Sequence, residues 1–181
     1  MRVRPTRAEL AAAAGRTIAD VIRPDLRVLF CGINPSLYSA ATGHHFARPG
    51  NRFWPAVHRS GFTERQLSPG QQDELLTEGL GITNMVARAT ARADELSRAE
   101  LIAGAERLTE QVRRYRPQWV AVVGVTAYRI GFGLPRATLG RQTETLGGVG
   151  LWVLPNPSGL NARFQLDDLA ARFAELRSAV L

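Results

Sequence analysis

The stretch RVLFCGINPS, residues 27–36, changes from apolar to polar at Gly32. The apolar run Val28–Cys31 predicts a buried strand over Arg27–Cys31, and Gly32, Asn34 and Pro35 lie in the polar segment that follows. A second transition of this kind occurs near the C-terminus, where LWVL (Leu151–Leu154) precedes PNPSGL (155–160). Loops at the carboxyl ends of strands bind ligands in open α/β sheets, so we expect the functional site at these two transitions.

Strand-like and helix-like segments alternate along the rest of the chain. The predicted strands are Arg27–Cys31, Gly81–Thr83, Trp119–Val123 and Leu151–Leu154. The predicted helices are Arg7–Ile22, Asn51–Ser60, Pro69–Thr77, a helix that a capping box opens at Ser97 and that ends near Tyr115, Thr126–Phe132 and Leu166–Val180. Apolar strands separated by helices are typical of a parallel sheet covered on both faces. The chain, with no internal repeat or linker, therefore predicts one α/β domain over residues 1–181: a three-layer α/β/α sandwich with a mostly parallel central sheet.

Composition excludes several kinds of chemistry. All 23 basic residues are arginine, so no lysine can form a Schiff base or hold a nucleotide phosphate in a P-loop. The single cysteine, Cys31, excludes an internal disulfide, and the three histidines show no metal-ligand spacing, so we expect neither a metal nor another cofactor.

Charge and hydropathy point to a nucleic-acid partner. The net charge of +7 favours a polyanion, and nucleic acid is the first candidate. No apolar run is long enough to span a membrane, and the N-terminal alanine tract is interpreted as a helix start instead of a secretory signal. We therefore expect a cytoplasmic protein with no membrane partner.

Each of the two transitions contains the sequence Asn-Pro-Ser, beginning at Asn34 and at Asn156. Proline fixes its own φ and keeps the preceding residue extended, which determines where each asparagine points. Asn-Pro is also a common start of a turn, and for either loop alone that simpler interpretation would be preferred. Two such loops, each directly after a buried strand, favour one shared site at the same edge of the sheet.

The segments GINPSLYSAATGHHFARPGNRFW (32–54) and WVLPNPSGL (152–160) resemble the mismatch-specific uracil-DNA glycosylases. These are bacterial relatives of thymine-DNA glycosylase within the uracil-DNA glycosylase superfamily. Weaker similarity spans nearly the whole chain. The resemblance implies a monofunctional enzyme that hydrolyses the N-glycosidic bond of uracil, or another damaged pyrimidine, flipped out of double-stranded DNA with a U·G or related mismatch.

The resemblance further implies a monomer in the cytoplasm, associated with the bacterial nucleoid. The alternative is a non-catalytic nucleic-acid-binding or nucleotide-binding α/β module that uses the same basic face.

The resemblance assigns base-binding and catalytic roles in the first motif. Asn34 is expected to hold the attacking water through its side-chain carbonyl, and Phe46 to stack on the flipped base. The backbone groups of Ile33 and Phe46 are expected to read the edge of the pyrimidine, and Ser39 matches a position near C5 of the base. A single phenylalanine is by default a core residue, but Phe46 ends a polar loop, which favours stacking.

The second motif is expected to contact DNA. Leu160 resembles a wedge that fills the gap left by the flipped base, and Asn161 could hydrogen-bond the stranded partner base. The other residues expected to bind DNA from this loop are Asn156, Ser158, Gly159 and Arg163.

Four further residues are candidates with strong structural alternatives. His44 and His45 are expected to face solvent or phosphate, and Arg52 is either a helix-docking residue or a phosphate contact. Asp94 is a catalytic candidate, because a carboxylate could supply the charge that Asn34 lacks. Its alternative is an exposed acid that pairs with a neighbouring arginine, Arg88 or Arg92, or favours the following helix N-terminus.

Overall fold

The computed structural model describes residues 4–181, so residues 1–3 of the predicted domain lie outside the described part. Its strands are β1 (Val28–Gly32), β2 (Leu80–Asn84), β3 (Trp119–Val123), β4 (Gly140–Leu146) and β5 (Val149–Leu154). Its helices are α1 (Arg7–Ala12), α2 (Leu37–Thr42), α3 (Phe53–Arg59), α4 (Arg98–Tyr115), α5 (Val125–Phe132) and α6 (Leu166–Val180), with 3-10 helices at Pro69–Glu78 and Ala93–Glu95.

The strands form one sheet in the order β2-β1-β3-β5-β4. Every neighbouring pair is parallel except β4 with β5. The predicted α/β fold with a mostly parallel sheet is therefore confirmed.

Each face of the sheet carries its own hydrophobic core, because successive side chains of a strand point to opposite sides. Phe30 of β1 and Leu154 of β5 belong to the core that also contains buried residues of α3 and α6. Cys31 and Val153, the neighbouring residues of the same strands, belong to the opposite core with α4 and α5. Burial raises the pKa of the Cys31 thiol, which agrees with a role as a small core residue. The predicted three-layer arrangement follows from this alternation.

The first helix is shorter than the sequence predicts. It ends at Ala12, with Gly15 in a left-handed conformation (φ 78°). Val21, which was predicted to be helical, instead forms an antiparallel bridge with Ile82 of β2, with N···O distances of 2.9 and 2.8 Å. Hydrogen bonding to a strand distant in sequence overrides the local helix signal of the alanine tract.

Three elements, α2, β4 and the short 3-10 helix Ala93–Glu95, were not predicted. The strand β4 buries only Leu146 among its seven residues, so its sequence GRQTETL has no apolar alternation to reveal it. It is held as an edge strand by a tight hairpin at Gly147 and Gly148, which both have positive φ.

The remaining predicted elements agree with the structure to within about three residues. The predicted helix at Pro69 is a 3-10 helix, and the capping box at the start of α4 is present, with Ser97 Oγ accepting from Glu100 N at 3.1 Å. No helix within residues 4–181 is both long and apolar enough to cross a membrane.

Candidate active site

A cleft of about 370 Å³ lies at the carboxyl ends of β1, β2 and β5. It brings together the two Asn-Pro-Ser loops, as expected for neighbouring ends of parallel strands. The predicted site residues that line it are Ile33, Asn34, Ser39, Phe46, Asp94, Asn156, Ser158, Leu160 and Asn161. Gly159 and Arg163 belong to the same loop but do not line the cleft.

The side chain of Asn34 is held in one orientation by two hydrogen bonds. Its Nδ2 donates to the backbone oxygen of Arg88 at 3.0 Å and to Thr90 Oγ1 at 2.8 Å. The Thr90 hydroxyl donates its own proton to the backbone oxygen of Arg92 at 2.6 Å, so towards Asn34 it acts as an acceptor. The Asn34 amide nitrogen must therefore face these two oxygens, and its Oδ1 has no hydrogen-bond donor within residues 4–181.

Phe46 has one face packed and belongs to the cleft lining. Its ring stacks on Phe53 of α3, with centroids 4.1 Å apart and an interplanar angle of 20°. Its backbone is in the left-handed region (φ 51°), which a non-glycine residue adopts only where its surroundings hold it. The amide N–H groups of Ile33 and Phe46 make no hydrogen bond with the described part of the chain. They are therefore available to a ligand.

Ser39 fixes the loop that carries Phe46. It is buried, and its Oγ accepts from the backbone N–H of Ala47 and from the hydroxyl of Ser36, both at 3.1 Å. Ser36 in turn caps α2 by accepting from Ser39 N at 3.1 Å. The hydroxyl of Ser39 is therefore engaged with the protein at the wall of the cleft.

His45 does not face solvent or phosphate, so that expectation is wrong; it is buried at 2% exposure. Its Nε2 lies 2.8 Å from the backbone oxygen of Ala19 and must carry the proton, because a carbonyl only accepts. Its Nδ1 is then the acceptor that faces Asn84 Nδ2 at 3.4 Å. Burial lowers the pKa of His45, in agreement with the neutral ring that these two contacts require. His44 is half-buried and lies outside this cleft.

Asn84 is a site residue that the sequence interpretation missed. It ends β2, is 6% exposed and lines the floor of the cleft. Because its Nδ2 faces His45, its Oδ1 lies towards β1: a Cβ on Gly32 would be 2.5 Å from this oxygen. The signal was present in the sequence, since GITN places an asparagine directly after an apolar strand, but no proline follows it.

The second loop is held by bonds among its own residues. Asn156 Oδ1 accepts from Ser158 N at 2.9 Å, and Ser158 Oγ accepts from Leu160 N at 3.2 Å. Asn161 donates to the backbone oxygen of Asn156 at 3.0 Å and accepts from Arg163 N at 3.3 Å. Both polar atoms of the Asn161 side chain are thus engaged inside the loop, while the Leu160 side chain projects with 66% exposure.

Arg52 is not free to contact phosphate; its guanidinium lies beneath this loop. It donates to backbone oxygens of Ser158 at 2.7 Å, Asn161 at 3.0 Å and Pro157 at 3.4 Å, and to that of Phe164. Arg163, in the same loop, is exposed, and its guanidinium lies 5.7 Å from the Phe164 ring.

Asp94 lies at the exposed rim of the cleft and is the only carboxylate among its described lining residues. Its Oδ1 pairs with Arg92 Nε at 3.1 Å, and its side chain is 73% exposed. This is the arrangement of the simpler alternative, in which Asp94 pairs with a neighbouring arginine. Arg88 pairs with Glu100 instead and holds the pKa of that carboxyl at about 2.

The fold and the site together define an α/β/α sandwich with an amide-lined cleft at the strand ends and an exposed apolar side chain at its rim. The sequence model of the Uracil DNA glycosylase superfamily matches residues 19–177. The chain belongs to this superfamily, which confirms the resemblance at that level. It is accordingly a DNA glycosylase, a hydrolase of N-glycosidic bonds in DNA repair.

Proposed function

We propose that this protein is a monofunctional, mismatch-specific glycosylase that excises uracil, and other damaged pyrimidines, from double-stranded DNA and leaves an abasic site. The observation that carries the proposal is the fixed amide of Asn34. Its carbonyl oxygen is unpaired within the described chain, in the same cleft as an aromatic platform and an exposed wedge.

Asn34 supports hydrolysis without a strong base. The bond between the anomeric carbon and N1 of uracil breaks with its electron pair leaving on the base, and water adds to the resulting oxocarbenium-like sugar. An amide oxygen can hold that water below the sugar without deprotonating it, and the released proton ends on the departing base. Positioning is then the main contribution of the site, and the expected enzyme is slow.

Phe46, Ile33 and Ser39 are the proposed base-binding residues. The face of Phe46 that Phe53 does not cover is available for stacking, which is worth about 1–3 kcal/mol per base. The free amides of Ile33 and Phe46 would donate to carbonyl oxygens of the pyrimidine. Ser39 acts through the loop that its hydroxyl holds and lies where a 5-methyl group would have to fit.

Leu160 is the proposed wedge, since an exposed apolar side chain gains free energy on entering a base stack. Asn156, Ser158 and Gly159 shape the loop that presents it, and Arg163 is the proposed phosphate contact. A contact of Asn161 with the partner base would require it to exchange one of its loop hydrogen bonds.

Asp94 is a proposed second catalytic residue. From the rim of the cleft a carboxylate can stabilise positive charge on the sugar directly or through one water. This role requires that Asp94 leave the Arg92 ion pair, or that the pair as a whole face the sugar. We further propose a monomer that acts without metal or cofactor in the bacterial cytoplasm, at the nucleoid.

The rival function is a non-catalytic module that binds nucleic acid or a nucleotide. An oligonucleotide duplex with one U·G pair, incubated with the protein and EDTA and then treated with alkali, separates the two. Strand breakage at the uracil supports the glycosylase, and binding with an intact strand supports the module. Asn34→Ala is the matched variant: it should bind the duplex normally and cleave far more slowly.

A further inference from the structure

Arg52 carries a charge that no carboxylate pairs with in the described part of the chain. Its guanidinium instead donates to four carbonyl groups spread over residues 157–164, and its backbone N–H donates to the Pro157 oxygen at 2.9 Å. One half-buried side chain therefore forms hydrogen bonds with both ends of the loop that carries Leu160.

A second contact joins the same loop to the first motif. A Cβ on Gly159 would lie 2.8 Å from the backbone oxygen of Gly50, so the two backbones touch directly. The residue after Arg52 is Phe53, whose ring supports Phe46 at a centroid distance of 4.1 Å. Two consecutive residues, Arg52 and Phe53, therefore hold the wedge loop and the proposed stacking ring respectively.

We infer that Arg52 is a positioning residue: it holds Leu160 at a set distance from the Phe46 platform, so that the wedge enters the duplex as the base reaches the cleft. This inference rests on the proposed function. The loop bonds of Ser158 and Asn161 join only residues of the loop itself, whereas the Arg52 side-chain bonds tie the loop to the N-cap of α3. A pre-organised loop avoids ordering cost when DNA binds.

The planar guanidinium suits this role better than an ammonium group would. Arginine presents its donors from three nitrogens in a fixed fork, while lysine presents all of them from one nitrogen. Arg52→Lys therefore keeps the positive charge and loses the span across Pro157, Ser158, Asn161 and Phe164. The substitution separates loop positioning from simple attraction of DNA phosphate.

The first test compares Arg52→Lys with Arg59→Lys in single-turnover excision. Arg59 is the last residue of α3, the helix that Arg52 precedes; it pairs with Asp167 of α6 at 2.6 Å and makes no hydrogen bond to residues 157–164 within the described part of the chain. We expect Arg52→Lys to slow excision from a U·G duplex by about tenfold or more, since bonds to a charged donor are lost. Arg52→Lys should excise an unpaired uracil at close to the wild-type rate, and Arg59→Lys should excise both substrates at close to the wild-type rate. Equal losses on paired and unpaired uracil would overturn the inference.

The second test is a double-mutant cycle read on the U·G duplex alone. If Arg52 acts through Leu160, adding Arg52→Lys to Leu160→Ala should cost little beyond Leu160→Ala itself, because coupled residues are non-additive. Fully additive losses would contradict positioning of the wedge. Gly159→Ala disturbs the same loop through its contact with Gly50 and leaves Arg52 intact. If Arg52→Lys destabilises the fold, Gly159→Ala replaces it in the test and should show the same duplex-selective loss.

A readout without catalysis keeps this inference separate from the proposed function. Hydrogen exchange of the backbone amides of residues 158–163 should accelerate in Arg52→Lys and not in Arg59→Lys. Unchanged exchange would refute loop anchoring even in an active enzyme. A wild type that excises no base from the U·G duplex would refute the proposed function, while the exchange result would still decide whether Arg52 anchors the loop.

Discussion

Leu160→Ala tests the wedge with a magnitude that the structure supplies. Leu160 is 66% exposed in the free protein. Full burial of a leucine side chain is worth about 1.5–3 kcal/mol, so insertion into a base stack has roughly two thirds of that left to gain, about 1–2 kcal/mol. Alanine forfeits most of this gain, and the expected loss in duplex excision is about 5- to 30-fold.

The assay is single-turnover excision of uracil from a U·G duplex and from an oligonucleotide in which the uracil is unpaired. Only the duplex has a gap to fill, so only duplex excision should slow. The thermal midpoint should be unchanged because the side chain is already exposed. Ile102→Ala is the matched control, since Ile102 is 41% exposed on α4 and does not line the cleft. Equal losses on both substrates, or no loss on the duplex, would refute the wedge.

Phe46→Ala should weaken both duplex binding and excision, since stacking also holds the flipped base; a loss in only one of the two would contradict the stacking role. Asp94→Ala and Asp94→Asn should both slow single-turnover excision and leave duplex affinity intact, and wild-type rates in both would make Asp94 an ordinary rim residue. Without lysine the enzyme should not cleave the backbone after removing the base, so borohydride should trap no covalent protein–DNA adduct. Burial lowers the pKa of His45 from 6.5, so below that pH the unfolded chain binds a proton that the folded chain does not. The free energy of unfolding should therefore decrease as the pH is lowered below about 6.5, by up to about 1.4 kcal/mol per pH unit, until the pH reaches the lowered pKa of the folded state. His45→Gln should remove this pH dependence. Urea unfolding of both proteins, measured at a pH above 6.5 and at a pH below it, checks the prediction.

The network around Asn34 shows how far this site depends on distant contacts. Asn34 is oriented by Arg88 and Thr90, and Arg88 is in turn held by its ion pair with Glu100 at the start of α4. Arg88 therefore connects the capping box of α4 to the side-chain amide of Asn34, the proposed catalytic group. Changes in the Ala93–Ser97 region are expected to affect the position of Asn34 as well as any direct role of Asp94.

The sequence by itself determined the strands β1, β3 and β5, the long helix α4 and the meeting of the two Asn-Pro-Ser loops at one cleft. Strands buried on both faces must be almost wholly apolar, and a capping box fixes a helix start with bonds only three residues long, so both leave a local pattern. The paired Asn-Pro-Ser loops likewise predicted a shared cleft, because parallel strands end at one edge.

Only the tertiary structure decided which polar side chains face the cleft and which form hydrogen bonds inside the protein. Arg52 bonds to residues more than 100 positions away, and His45 bonds to Ala19 and Asn84, 26 and 39 positions away. An arginine or histidine in a polar loop has the same local pattern whether it faces phosphate or a buried carbonyl. Its role depends on which backbone groups the fold brings within about 3 Å, because a buried polar group must find a partner wherever the chain provides one.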